Sequence, residues 1–233
     1  VAVMYRMGLV RSVNLTIDTM KILIACEYSG AVRDAFIKQG HNVMSCDLLP
    51  TDSPGPHYQG SVFDILNDGW DMMIAHPPCT YLAVSGNRWL YNKDKTRNEE
   101  RWKNREDGLD FVRALMNAPI EKIAIENPVS CISSEIRKPD QIIQPWQFGD
   151  EAQKTTCLWL KNLPKLKPTK IVGKGEFTTF KSGKRHPKWY ADALATAKTK
   201  AERQKLRSKT FQGIADAMAE QWGVKTTKQL ELI

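Results

Sequence analysis

Two short stretches hold residues that could make and break covalent bonds. The first, DMMIAHPPCTYLAVSG, runs from Asp71 to Gly86 and sets Cys79 directly after two prolines at the end of an apolar run. A Pro-Pro pair fixes two φ angles and removes two backbone donors, so the thiol that follows is held with little conformational freedom. A free cysteine on its own is most often a small buried hydrophobe. Such a residue needs neither two prolines nor a polar loop after it, whereas a nucleophile approaching a planar ring uses both. The second stretch, KIAIENP, ends an apolar run with Glu126 and Asn127. By itself Asn127-Pro128 also reads as a turn or a cap. Together, a thiol and a carboxylate at neighbouring strand ends suit attack on an electron-poor heterocycle. Sulfur adds to one carbon while the acid stabilises the ring nitrogen that accepts the density.

Residues of this kind must be positioned by a scaffold, and the chain alternates strand and helix patterns from Met20 onward. KILIAC is almost wholly apolar, as a strand covered on both faces would be, and SGAVRDAFIKQG has helical spacing with Gly40 as its stop. HNVMSCD, WDMMIAH and KIAIENP read as further strands, residues 98–117 as an amphipathic helix through Leu109, Val112 and Met116, and CLWLKNLP as another strand. This alternation predicts an α/β fold with a mostly parallel sheet and helices on both faces. Such sheets bind ligands beyond the carboxyl ends of their strands. Glu27 with Ser29 and Gly30, Asp47, Cys79, and Glu126 with Asn127 all follow strands and are expected to converge there. YLAVSGNRWLYNKDKTRNEE, between Cys79 and the long helix, is longer than ordinary connections and reads as a functional loop.

Composition narrows the class. With 233 residues, 42% hydrophobic and 26% charged, the chain can bury one core and is expected to be globular. No apolar run is long enough for a membrane span and no secretory signal pattern opens the chain, so a cytoplasmic protein without a membrane partner is expected. Five cysteines without CxxC spacing argue against a disulfide framework and a zinc site, and His186 has no partner at ligand spacing, so no metal is expected. The net charge is +8, but residues 151–210 carry sixteen Lys or Arg against four acids, a local balance of +12. A basic segment interleaved with Phe177, Phe180, Trp189 and Tyr190 reads as a nucleic-acid surface, with a solvated lysine face as the plainer alternative. Residues 1–19 carry no clear period and are expected to be a leader outside the fold, with residues 20–164 as the catalytic core, 165–206 as a short basic insertion and 207–233 as a C-terminal helix completing the core. Nothing in the sequence speaks to oligomeric state.

Pro-Pro-Cys after one apolar strand and Glu-Asn-Pro after the next resemble the DNA cytosine-5 methyltransferase family, in its small bacterial or phage type. Order and spacing agree over most of residues 20–223. The resemblance implies a Rossmann-like fold that binds S-adenosylmethionine. Cys26-Glu27-Tyr28-Ser29-Gly30-Ala31 matches the family's glycine-rich cofactor loop, with Gly30 the one glycine kept, so Glu27, Tyr28, Ser29 and Gly30 would line the cofactor. It further implies Asp47 on the cofactor ribose, Asp64 in GSVFDI on the adenine amino group, Pro77 beside them, and Gln212 in RSKTFQGIADAMA where the family's last motif has Asn. Cys79 would add to carbon 6 of cytosine, with Glu126 hydrogen-bonding ring nitrogen 3 and the amino group, making carbon 5 enamine-like and ready for a methyl group. The base would be flipped out of DNA, or less expectedly RNA. Pro78, Thr80, Ser85, Asn127, Lys154, Lys184, Arg185 and Trp189 would contact that substrate. His76 stands where the family has Gly, Thr80 where it has Gln or Asn, and the family's Gln-x-Arg-x-Arg motif is replaced by Gln153-Lys154-Thr155-Thr156. Two other readings stay open: carbon-5 group transfer to a free pyrimidine nucleotide, as in thymidylate-synthase-like enzymes, and a catalytically degenerate relative that binds DNA.

Overall fold

A computed structural model describes residues 19–224, the side chains of residues 200 and 201 excepted. The expected leader, apart from its last residue, and residues 225–233 of the expected C-terminal segment lie outside the described residues.

Near-continuous apolar runs make the central strands. They are β1 (Lys21–Ala25), β2 (Asn42–Asp47), β3 (His57–Gln59), β4 (Met72–Ala75), β5 (Lys122–Asn127), β6 (Gln141–Ile143) and β7 (Thr156–Lys161). They form one sheet in the order β3-β2-β1-β4-β5-β7-β6. β3 through β5 pair in parallel, and β7 runs antiparallel to both β5 and β6. Every residue of β4 is buried, as expected for a strand covered on both faces.

Helices cover both faces. On one, α1 (Ala31–Lys38) and the C-terminal α6 (Gln212–Trp222) pack Val32, Phe36, Ile214, Met218 and Trp222 over Ile22, Ile24, Met72 and Ile74. On the other, α2 (Glu99–Met116) and the one-turn α3 (Ile132–Glu135) pack Leu109, Val112, Leu115 and Ile132 over Leu23, Met73, Ala75, Ile123 and Ile125. Alternate strand residues supply the two layers, as the period of two requires. This doubly wound sheet with one reversed strand is the expected Rossmann-like methyltransferase fold.

α2 starts where Asn98 accepts a hydrogen bond from the Arg101 N–H at 3.1 Å, with Glu99 and Glu100 in its first turn, so side chain and dipole agree on the boundary. α1 starts differently. The carboxylate of Glu27 accepts from the N–H groups of Val32 at 2.8 Å and Arg33 at 3.2 Å, reaching over Gly30, whose φ of 77° lies in the left-handed region. The fully buried Arg33 then donates to Asp34, Ser45, Thr51 and the carbonyls of Ser53 and Pro54, which fastens the segment after β2 onto α1.

The basic stretch contains a two-stranded antiparallel hairpin, β8 (Phe177–Thr179) with β9 (Arg185–Pro187), followed by α4 (Lys188–Thr196) and α5 (Lys200–Ser208). Trp189 anchors it to the core. Its Nε1 donates to the Gln153 carbonyl at 2.9 Å, and its ring meets Phe211 edge-on at 5.5 Å.

Candidate active site

Register decides which side chains meet. Ala75 of β4 lies opposite Ile125 of β5. Ile74 and Ala124 belong to the layer under α1 and α6, so the next residues on that face are His76 and Glu126. Their side chains join, with His76 Nδ1 3.0 Å from Glu126 Oε2 and both side chains 11% exposed. One residue further, Asn127 Nδ2 donates to the Pro77 carbonyl at 2.8 Å in a buried bond. The two strand ends are thus tied together immediately before Pro78 and Cys79. Beyond Cys79 the chain turns at once, its carbonyl accepting from the N–H groups of Leu82 at 3.1 Å and Ala83 at 2.9 Å. The Val84 N–H then donates to Val129 O, and Cys131 N–H to Leu82 O, which pins this loop to the segment after β5.

A cavity of about 830 Å³ opens at the carboxyl ends of β1, β4 and β5, where open α/β sheets bind ligands. Cys79 is exposed to it and Glu126 lines it. Two other walls come from far along the chain. Lys154 arrives just before β7, and Arg203 and Arg207 come from α5, one helical turn apart and on one face. α5 is strapped over the cavity by Tyr28 Oη, which bonds the Lys205 carbonyl at 3.0 Å and Ser208 Oγ at 2.7 Å, and by an ion pair between Lys205 and Asp52.

These walls set the electrostatics. Removal from bulk water raises the Cys79 pKa above that of an ordinary thiol, and the charge of Glu126 adds to the rise, while Lys154 and Arg207 oppose it. Burial also pushes Glu126 upward. There the hydrogen bond from His76 and the charges of Lys154 and His76 prevail, leaving the carboxyl below its usual range. Lys154 therefore acts on the sulfur and the carboxylate together.

Of the residues singled out in the sequence, the cavity gathers Glu27, Tyr28 and Ser29 after β1, Pro77, Pro78, Cys79, Thr80 and Ser85 after β4, and Glu126 and Asn127 after β5. Lys154 and Trp189 line it as well. Gly30, Asp47, Asp64, Gln212, Lys184 and Arg185 are not among its walls. Asp47 ends the neighbouring β2 and accepts from the Leu49 N–H at 2.9 Å. Asp64 accepts from Tyr58 Oη at 3.0 Å, Gln212 donates to Asp216 at 2.8 Å, and Arg185 stacks its guanidinium 5.1 Å from the Phe177 ring. Lys184 lies exposed in the turn between β8 and β9. Sequence reasoning missed Arg101, Arg203 and Arg207 as wall residues. The i,i+4 spacing of Arg203 and Arg207 was the available signal.

Among the described residues, no group of three or more His, Cys, Asp and Glu side chains is arranged to hold a metal ion, and no helix is long and apolar enough to cross a membrane. No known family's sequence profile matches the chain, and no curated protein matches it. Among solved structures, the chain is similar to a triple mutant of DNMT2 from Spodoptera frugiperda, at 14% identity and a TM-score of 0.36. That match covers 66% of this chain and 55% of the DNMT2 chain.

Proposed function

We propose that the protein transfers a methyl group from S-adenosylmethionine to carbon 5 of cytosine in DNA. The observation that carries the reading is the meeting of Cys79 and Glu126 in one cavity, joined through the His76 and Asn127 bonds, with Lys154 acting on both. Carbon 5 of an aromatic pyrimidine is too poor a nucleophile to take a methyl group unaided. The Cys79 thiolate adds to carbon 6, forming a carbon–sulfur bond and pushing the ring electrons toward carbon 5 and nitrogen 3. Glu126, held by His76, accepts from the exocyclic amino group; the proton given up by the Cys79 thiol passes through Glu126 to nitrogen 3, neutralises the density that builds up there, and returns as the sulfur leaves. Lys154 offsets charge on the carboxylate and the attacking sulfur. After the methyl group has arrived, the carbon 5 proton leaves, its electrons re-form the ring double bond, and the Cys79 sulfur is expelled.

S-adenosylmethionine would supply the electrophilic methyl carbon, and the residues beyond β1 and β2 fit it. Tyr28 and Ser29 line the cavity beside Pro77, and Asp47, outside the cavity wall at the end of the neighbouring β2, is the acid that would meet a pair of ribose hydroxyls reaching past it. Glu27 contributes through the backbone it shapes, because its carboxylate is spent on the first turn of α1. Arg203, Arg207 and the rest of the basic segment face the phosphates of the polynucleotide.

The test uses DNA containing 5-fluorocytosine, whose fluorine blocks the final proton loss and leaves sulfur bonded to carbon 6. The expected result is a cofactor-dependent protein–DNA adduct that survives denaturation and is absent from Cys79→Ser. With ordinary cytosine, labelled methyl groups enter DNA, and Glu126→Gln slows this by about 10²-fold or more. Undiminished methyl transfer by Cys79→Ser would falsify the nucleophile, and label entering RNA or free nucleotides alone would overturn the choice of DNA.

A further inference from the structure

A second recess of about 370 Å³ adjoins the cavity, within the roughly 300–1,000 Å³ range of small-molecule sites. It lies between the loop after Cys79 and the first turns of α2, and its walls are Tyr81, Trp89, Asn98, Glu100, Arg101 and Asn104. Trp89 and Arg101 also line the main cavity, so the two spaces share a partition. Tyr81 and Trp89 are 39% and 54% exposed, so that aromatic surface lies open to solvent beside the recess. Guanidinium groups accompany both rings, Arg101 at 5.1 Å from the Tyr81 centroid and Arg88 at 4.4 Å from that of Trp89. Arg101 Nη2 holds the Thr80 carbonyl at 3.2 Å, while its buried Nε has no hydrogen-bond partner. The side-chain amide of Asn104 forms no hydrogen bond among the described residues.

We infer that this recess is a second nucleobase subsite, which receives the base next to the target cytosine in the same strand. Aromatic faces with adjacent guanidinium groups stack on bases of any identity. An unengaged amide and a carboxylate can meet the donor and acceptor edge of one heterocycle. Sharing Trp89 and Arg101 with the main cavity fits two bases joined by a single phosphodiester better than two separate ligands. The inference rests on the proposed function, because it takes the main cavity to hold a base of a polynucleotide.

The experiment uses the full chain and single-stranded oligonucleotides that carry the photoreactive base 5-iodouracil at the target position, one nucleotide before it, or one after it, each mapped by mass spectrometry. The probe at one of the two neighbouring positions is expected to crosslink to Tyr81, and the probe at the target position to residues around Cys79. Tyr81→Ala and Asn104→Ala are each expected to weaken oligonucleotide binding about tenfold, while S-adenosylmethionine binding is unchanged. If target probes reach the Cys79 cavity but neither neighbouring probe reaches Tyr81, or if both variants bind like the parent, the subsite is refuted and the proposed function stands. If neither the single-stranded probes nor duplex DNA binds the parent protein, the proposed function fails and the subsite with it.

Discussion

Asn127 offers the sharpest test of how the site is held. Its Nδ2 donates to the Pro77 carbonyl in a buried 2.8 Å bond, and its Oδ1 is buried without a partner. In Asn127→Ala the amide goes and the Pro77 carbonyl is stranded, because a Pro-Pro pair has no flexibility to turn it toward water. Leaving a buried acceptor unsatisfied costs about 1–3 kcal/mol, and loss of the partnerless Oδ1 offsets part of this. At a net cost of about 1 kcal/mol, a chain of this size should lose about 2–4 °C of melting temperature. Asn127→Asp keeps the shape but aims a carboxylate at the carbonyl and buries a charge, so its loss should be larger. Both are measured by chemical denaturation and calorimetry, with iodoacetamide labelling of Cys79 as the local readout, since a loosened Pro-Pro-Cys segment should react at an altered rate. Two variants within about 0.5 kcal/mol of the parent and unchanged at Cys79 would show that the amide is not what fixes the thiol.

Two further outcomes follow from contacts described above. Since burial and Glu126 raise the Cys79 pKa while Lys154 and Arg207 lower it, alkylation of Cys79 should accelerate as pH rises past the normal thiol range. At fixed pH, Lys154→Met should slow the reaction and Glu126→Gln should speed it, and the same rate in all three proteins would dismiss this electrostatic account. Gly213 lies where a Cβ would come within 1.8 Å of the Phe148 carbonyl, and its N–H donates to Asp150 at 2.9 Å, so Gly213→Ala must push the start of α6 away from the segment around Phe148. The expected cost is about 1–3 kcal/mol in urea unfolding, and full retention of stability would mean that α6 is not seated as described.

Much of the sheet was legible because strands buried on both faces are written as uninterrupted apolar residues, and KILIA, MMIA and KIAI have little else to be. β3 and β6 were not legible, since HYQ and QII are three-residue edge strands with no period to detect. Nor was the reversed direction of β7, because an apolar run has the same pattern read either way. β1 ends at Ala25, one residue short of the apolar run KILIAC, because Cys26 turns into the left-handed region with φ of 59°. At the site, two prolines and a carboxylate at the end of KIAI marked Cys79 and Glu126 from sequence alone. The bond between His76 and Glu126 depends on register, which a single sequence does not state. Arg101, Arg203 and Arg207 escaped notice for a similar reason, their place in the wall being a matter of how distant segments fold over one another.

The bond between His76 and Glu126 spans fifty positions, and the cations that act on Cys79 are made later still. A chain emerging from the ribosome therefore carries an ordinary cysteine on a ragged edge until β5 has zipped in beside β4 and the last helices have closed the roof. The pairing of thiol, carboxylate and cations is thus a property of the completed architecture, and a chain cut short before Lys154 carries Cys79 and Glu126 without the charge that acts on both.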